Sequence, residues 1–160
     1  MGVIGAGKTT IGRRLANELG WDFVDADDFH PAGNVAKMSR GESLTDDDRL
    51  PWLEAVRREI DERLSLGKPA VVACSALKRA YRRRLGTDRP EVALVHLAAG
   101  RSVIAERLSG RKNHFAGPEL LESQFADLEA PGPDEALVVD AEAPPERIVE
   151  RIVATLVEPT

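Results

Sequence analysis

The sequence predicts an α/β protein with a parallel sheet covered by helices on both faces. Three observations predict it. Helix-like and strand-like apolar patterns alternate along the chain. A glycine-rich string, Gly2-Val3-Ile4-Gly5-Ala6-Gly7-Lys8-Thr9, opens directly into a helical pattern. A continuous apolar run, Ala70 to Cys74, reads as a strand buried on both of its faces.

Taken in order, Thr9 to Leu19 is helical, with Ile11, Leu15 and Leu19 recurring every four residues until Gly20 ends the pattern. Trp21 to Val24 is a short strand that leads into the acidic stretch Asp25, Asp27, Asp28. Thr45 and Asp48 have the spacing of a capping box, and Pro51 sits near the start of the long helix that follows. That helix carries Leu53, Val56, Ile60 and Leu64 on one face. Lys78 to Leu85 is helical, Val92 to Leu97 a strand, and Arg101 to Leu108 a helix. The polar segment Ser109 to Gly117 interrupts, and Pro118 to Leu128 resumes the helical pattern. Ala130 to Asp134 is a loop, Ala136 to Val139 a strand, and Pro145 to Val157 the last helix.

The 160 residues give room for one domain, 1–160. No apolar run approaches the roughly 18 residues of a membrane span, so no membrane partner is expected. A single cysteine, Cys74, excludes an intrachain disulfide and fits a reducing, cytoplasmic setting. With 22 Lys and Arg against 27 Asp and Glu, the net charge of −5 argues against a nucleic-acid partner. The basic cluster Lys78, Arg79, Arg82, Arg83, Arg84 reads as a solvated helix face.

The string from Gly2 to Thr9 fits the G-x-x-x-x-G-K-[ST] phosphate loop at every fixed position. Gly2, Gly5, Ala6 and Gly7 let backbone N–H groups approach phosphate oxygens, and Lys8 brings a cation to the β- and γ-phosphates. The Thr9 hydroxyl can ligate Mg²⁺, and the helix N-terminus that Thr9 and Thr10 begin faces the same anion. The loop therefore predicts ATP and Mg²⁺ as cofactors of a phosphotransferase. Asp25 and Asp27 follow a strand end, where one carboxylate can hold Mg²⁺ through water and another can orient an acceptor hydroxyl. The run Ala70 to Cys74 ends in Ser75-Ala76-Leu77-Lys78 with no carboxylate, which leaves metal binding to Thr9, Asp25 and the nucleotide. No Asn-Lys-x-Asp element appears, which argues against a GTPase.

Further strings are more specific. His30-Pro31, Asn34, Lys37-Met38, Gly41, Leu44 to Arg49 and Pro51-Trp52-Leu53 resemble the bacterial-type gluconokinase pattern. Cys74 to Arg79, Tyr81-Arg82, Arg107-Leu108, Arg111-Lys112, His114-Phe115, Gln124-Phe125 and Leu128-Glu129 continue it, from Gly2 to about Asp140. The resemblance implies a shikimate-kinase-like enzyme of the nucleoside-monophosphate-kinase fold, commonly homodimeric, that converts ATP and D-gluconate to ADP and 6-phosphogluconate. It places Asp25 at the metal and Asp27 at the acceptor hydroxyl. Gluconate's carboxylate needs a cation, for which Arg49 is the first candidate and Lys78 the second. For Arg49 the plain alternative is an ion pair at the helix start with Asp46, Asp47 or Asp48. His30 could bond a sugar hydroxyl or steady its loop. Ser109 to Gly117 reads as a lid whose Arg111 meets the transferring phosphoryl. Arg107 is placed to stack on adenine or to make a surface ion pair, and Asp140 to Pro145 to border the base. His96 reads as a packed core residue. The alternatives to a gluconokinase are a kinase for another small sugar acid or polyol, and a nucleotide-binding protein without turnover.

A phosphate loop normally follows a buried strand of about 5–6 residues, whereas only Met1 precedes Gly2 here. The first strand is thus expected to be missing from this chain, with the natural reading frame beginning upstream of Met1.

Overall fold

The computed structural model describes residues 1–110 and 118–157, with backbone only for Pro118 and Val157. In chain order these form α1 (Lys8–Leu19), β1 (Asp22–Asp25), a 3₁₀ turn (Ala26–Phe29), α2 (Ala32–Ser39), α3 (Asp46–Leu66) and β2 (Ala70–Ala73). Then come α4 (Arg79–Leu85), β3 (Val95–Ala98), α5 (Arg101–Ser109), α6 (Pro118–Asp127), β4 (Leu137–Asp140) and α7 (Pro145–Val157).

The strands pair in parallel, as the alternation of elements requires. β1 lies beside β2 with Asp22 opposite Ala70, and β3 beside β4 with Val95 opposite Leu137. Among the described residues, no strand lies between β2 and β3, so the sheet is in two halves. Met1 and Gly2 touch both. The Met1 amine donates to the Val95 carbonyl and the Met1 carbonyl accepts from the Leu97 N–H at 2.9 Å, while Gly2 N–H donates to Ser75 at 3.2 Å.

Helices hold the halves together. On one face α1 packs on β1 and β2, α7 packs on β4, and α1 and α7 pack on each other. Ile11, Leu15, Leu97, Val139, Ile148 and Ile152 are the buried centre of that layer. On the other face α3 and α4 bury Trp52, Leu53, Val56, Tyr81 and Leu85 around Cys74. α3 begins as its sequence predicts: Thr45 accepts from the Asp48 N–H at 3.1 Å and Asp48 accepts from the Thr45 N–H at 2.9 Å. Pro51 falls in the second turn and the helix continues through it.

Two expectations need correction. The run Ala70 to Cys74 is not buried on both faces throughout, because Ala70 to Val72 are only half-buried beside the gap between the half-sheets. The sequence reading assigns no element between Asp28 and Thr45; the structure has a 3₁₀ turn at Ala26–Phe29 and α2 at Ala32–Ser39, whose helical reading Pro31 and Gly33 break.

The basic cluster is not a uniformly solvated face, since Arg82 is 1% exposed. It pairs with Glu135 at 2.5 Å and donates to the carbonyls of Ala76, Leu77 and Glu129 at 3.2, 2.9 and 2.9 Å. Arg82 thereby clamps the turn after β2, where Ala76 adopts φ 45°, a conformation unusual for a side chain with a Cβ. Replacing Arg82 strands a carboxylate and three carbonyls, so Arg82→Ala should lose about 3–5 kcal/mol in urea denaturation. The exposed neighbour Arg83→Ala should change stability by less than about 0.5 kcal/mol.

Candidate active site

The phosphate loop wraps residues 2 to 7 around the N-terminus of α1. Val3 and Ala6 are buried beneath it, and the Ala6 N–H closes the turn by donating to the Val3 carbonyl at 3.2 Å. α1 has no acidic residue in its first turn, so its positive end is left for an anion. Lys8 folds back to donate to the Val3 carbonyl at 2.9 Å. Burial lowers its pKa, with Asp27, Cys74 and Asp25 pulling the other way. On the far side of the loop, the Ile4 N–H donates to the Gln124 side chain at 2.6 Å, which ties α6 to the phosphate site.

The strand end carries Asp25, as the fold rule for parallel sheets places it. One Asp25 oxygen accepts from the Thr9 hydroxyl at 3.2 Å and the other from the Asp27 N–H at 3.1 Å. A hydroxyl and a carboxylate thus converge on one point beside the loop. Mg²⁺ is commonly held by one or two protein oxygens together with phosphates and waters. The pair Thr9 and Asp25 fits that donor set, and the described residues contain no cluster of three or more His, Cys, Asp or Glu that would hold a metal by themselves.

Asp27 lies one step further along the cleft. Its place in the cleft and then the neighbouring Asp25 raise its pKa, while Lys8 opposes them. The side chain is 73% exposed with the cleft open, so water screens much of this effect. Next to it, His30 is 5% exposed and stacks on Trp52 with ring centres 4.4 Å apart. Trp52 in turn donates to the Ala26 carbonyl at 2.6 Å, which anchors the 3₁₀ turn to α3. The Asn34 amide donates toward His30 Nδ1 at 3.3 Å, so the ring proton sits on Nε2, 3.9 Å from Asp27.

Arg49 and Lys78 form the other end of the cleft. Arg49 is 11% exposed and donates to the Tyr81 hydroxyl and to Asp127, both at 3.0 Å, with Asp46 at 4.0 Å. Lys78 bonds Asp46 at 2.9 Å and stands 3.5 Å from Asp127. The hydrogen bond to Asp46 raises the Lys78 pKa. The two candidate cations therefore share two carboxylates, and the principal partner of Arg49 is Asp127 on α6 rather than the acids at its own helix start. Asp127 and Tyr81 complete this cluster. Tyr81 entered the sequence reading only within a resemblance string, and Asp127 gave no signal among the ordinary polar residues of a helix.

Arg107 donates to the Ala141 carbonyl at 2.7 Å, which attaches α5 to the loop after β4 instead of making a surface ion pair. Thr10 is exposed in the first turn of α1. Of the expected lid Ser109 to Gly117, Ser109 is the last residue of α5, while Arg111, Lys112, His114 and the rest from 111 to 117 lie outside the described residues.

A parallel α/β fold with a complete phosphate loop and acids at the strand end defines a P-loop phosphotransferase. The shikimate kinase family matches residues 4–157. The chain is 44% identical to the gluconokinase of Gluconobacter oxydans over 96% of its own length and 86% of that protein's. It is 39% identical to the thermoresistant gluconokinase of Escherichia coli, covering 99% of this chain and 89% of that one. A solved gluconokinase from Sinorhizobium meliloti superimposes with a TM-score of 0.84 at 44% identity, over 98% of this chain and 88% of the other. Shikimate kinase from Acinetobacter baumannii, 18% identical over 97% of this chain and 89% of its own, shares the fold with a TM-score of 0.61. The chain belongs to the gluconokinases of the shikimate kinase family.

The environment of His30 generates a measurable expectation. Burial first, then Arg49, lower its pKa to about 4. The folded protein therefore binds fewer protons than the unfolded chain between about pH 6.5 and 4, so this residue's contribution makes stability fall as pH drops through that window. In a ¹⁵N-resolved NMR titration, His30 should stay neutral down to about pH 5 with its proton on Nε2. A titration near the ordinary value of about 6.5 would contradict the stacked, buried geometry.

Proposed function

We propose that this protein is an ATP-dependent gluconokinase that phosphorylates D-gluconate at its 6-hydroxyl, giving 6-phosphogluconate and ADP. The main support is identity of 39–44% to gluconokinases over most of both chains. The geometry of the cleft agrees with it. The phosphate loop stands at one end, the cations Arg49 and Lys78 at the other, and Asp27 and His30 lie between.

The roles follow from that order. Gly2, Gly5, Ala6, Gly7, Lys8, Thr9 and Thr10 hold the triphosphate, with Lys8 neutralising charge on the transferring phosphoryl. Thr9 and Asp25 would hold Mg²⁺, which would supply positive charge to offset that of the phosphates. Asp27 aligns the acceptor hydroxyl and receives its proton as the phosphoryl departs from ADP. In a loose transition state such alignment and charge neutralisation supply most of the acceleration. His30 donates from Nε2 to a substrate hydroxyl beside Asp27. Arg49, supported by Lys78, binds the gluconate carboxylate, which takes over from Asp46, the more exposed of the two resident acids at 63% against 24% for Asp127. Arg107 and the loop it holds border the adenine, and Arg111 meets the transferring phosphoryl. The chain acts as a single kinase domain, cytoplasmic and homodimeric, a reading supported by its one cysteine and the family resemblance.

ADP release across gluconate, other aldonates, shikimate and glycerol tests the reading directly. Gluconate should be the preferred acceptor, and ATP-binding protein that turns over no sugar acid would refute it. Lys8→Ala should lower kcat/KM by orders of magnitude in a folded protein. Arg49→Ala removes one partner of a desolvated charge pair, an effect of about 2–5 kcal/mol. Its gluconate KM should rise by roughly 30-fold or more, with the ATP KM nearly unchanged. A gluconate KM that does not move would transfer the carboxylate contact away from Arg49.

A further inference from the structure

The two cations at the far end of the cleft already hold two acids, and they hold them in different ways. Arg49 and Lys78 lie over the same Tyr81 ring, each 5.5 Å from its centre. Asp46 meets them through one oxygen, Oδ1, which accepts from Lys78 at 2.9 Å and from the Tyr81 hydroxyl and stands 4.0 Å from Arg49. Asp127 uses both of its oxygens, Oδ2 accepting from Arg49 at 3.0 Å and Oδ1 standing 3.5 Å from Lys78. We propose that Asp127 is a specificity-determining residue. It stays between the cations when substrate enters, so the site exchanges Asp46 for one singly charged carboxylate and rejects a doubly charged end group. This rests on the reading that Arg49 and Lys78 bind the acid end of the acceptor.

The backbone shows which acid stays. One turn before Asp127, the Gln124 side chain accepts from the Ile4 N–H at 2.6 Å. Two residues after it, the Glu129 N–H donates to the Leu77 carbonyl at 3.0 Å, and the Glu129 side chain accepts from the Arg79 N–H at 2.6 Å. Asp127 therefore cannot withdraw without breaking bonds to the phosphate loop and to the start of α4. Asp46 is the first residue of α3, and its side chain is mostly exposed. Rotation of that side chain returns it to water, where the positive end of α3 still stabilises it.

The vacated place suits a carboxylate. Among the described residues, Arg49 makes its polar contacts through Nη1 alone, to Tyr81, Asp127 and Asp46. Its Nε and Nη2 edge is left for two parallel hydrogen bonds to an incoming carboxylate. Two cations and two acids balance, and a monocarboxylate that replaces Asp46 preserves the balance. A phosphate monoester carries about −1.5 to −2 at neutral pH and would place the excess beside an acid that cannot leave. The selectivity thus comes from a fixed group that repels the wrong ligand.

Two six-carbon ligands test this, gluconate and glucitol 6-phosphate, each with a free primary hydroxyl at one end. Their Kd values are measured by calorimetry, and KM for ATP is measured alongside. Wild-type protein should prefer gluconate. Asp127→Asn should move the ratio of the two Kd values by at least about tenfold toward the phosphate, the effect of removing one charge at contact distance. Asp127→Glu keeps the charge and should keep the wild-type preference, with KM for ATP the same in both variants. Asp46→Asn removes the resident competitor and should lower the gluconate Kd by about threefold or more. An unchanged ratio in Asp127→Asn would overturn the proposal. So would equal weakening of both ligands, which is what a merely structural role gives. Should Asp127→Asn fail to fold, the exposed Asp46→Asn still decides, because a gluconate Kd that does not fall there overturns the exchange. Wild-type protein that binds no gluconate refutes the gluconokinase reading itself, and this proposal with it.

Discussion

The whole cleft depends on a backbone that comes closer to its neighbours than a side chain allows. A Cβ at Gly2 would stand 2.8 Å from the Leu97 carbonyl, and one at Gly5 would stand 3.1 Å from the Ile104 side chain. Gly5 also has φ 78°, where other L-residues are strained. The loop is thus pressed onto β3 and α5 from below. From that one constraint the remaining positions follow. α1 starts where the loop ends, Lys8 returns over it, and β1 delivers Asp25 to the Thr9 hydroxyl.

Charge in the cleft is arranged in compensated units. Lys8 is too buried to stand alone and has Asp25 and Asp27 as neighbours, which oppose the lowering of its pKa. Arg49 and Lys78 share Asp46 and Asp127, and Tyr81 donates to Asp46 while it accepts from Arg49. His30 stays neutral between these charged units because it is buried against Trp52. A neutral donor there leaves the balance of the two ends undisturbed and keeps a proton on the atom nearest Asp27.

The sequence made some of this plain and concealed the rest for physical reasons. The phosphate loop, the Thr45 to Asp48 capping box and the closing helix were legible because their chemistry is local: a turn, a cap, a periodic face. α2 was hidden because Pro31 and Gly33 argue against a helix, although Pro31 stands just before its first turn, where a missing N–H does no harm. Arg82 was misread because charge counted along the chain says nothing about depth. Its burial is decided by carbonyls from the Ala76 turn and from Glu129, remote in sequence. Asp127 was illegible for the same reason, as its partners Arg49 and Lys78 come from other segments. Pairings between distant elements are where a single sequence carries least information.

The divided sheet explains why so much of the fold rests on one helix pair. Across a continuous sheet, ladder hydrogen bonds would join the central strands. Among the described residues, β2 and β3 are joined by the Met1 and Gly2 contacts at one end and through the helices above them. α1 packs on β1 and β2, α7 packs on β4, and the α1–α7 contact closes the circuit. That contact is apolar at its centre, with the exposed ion pair Arg14–Glu146 beside it. The phosphate loop sits on this same junction, with its first N–H on the β2 side and its underside on β3 and α5. The distance between Asp25, carried by one half, and the Arg107–Ala141 contact, carried by the other, is therefore set by α1 and α7. The geometry of the nucleotide cleft and the stability of the sheet are one and the same mechanical problem.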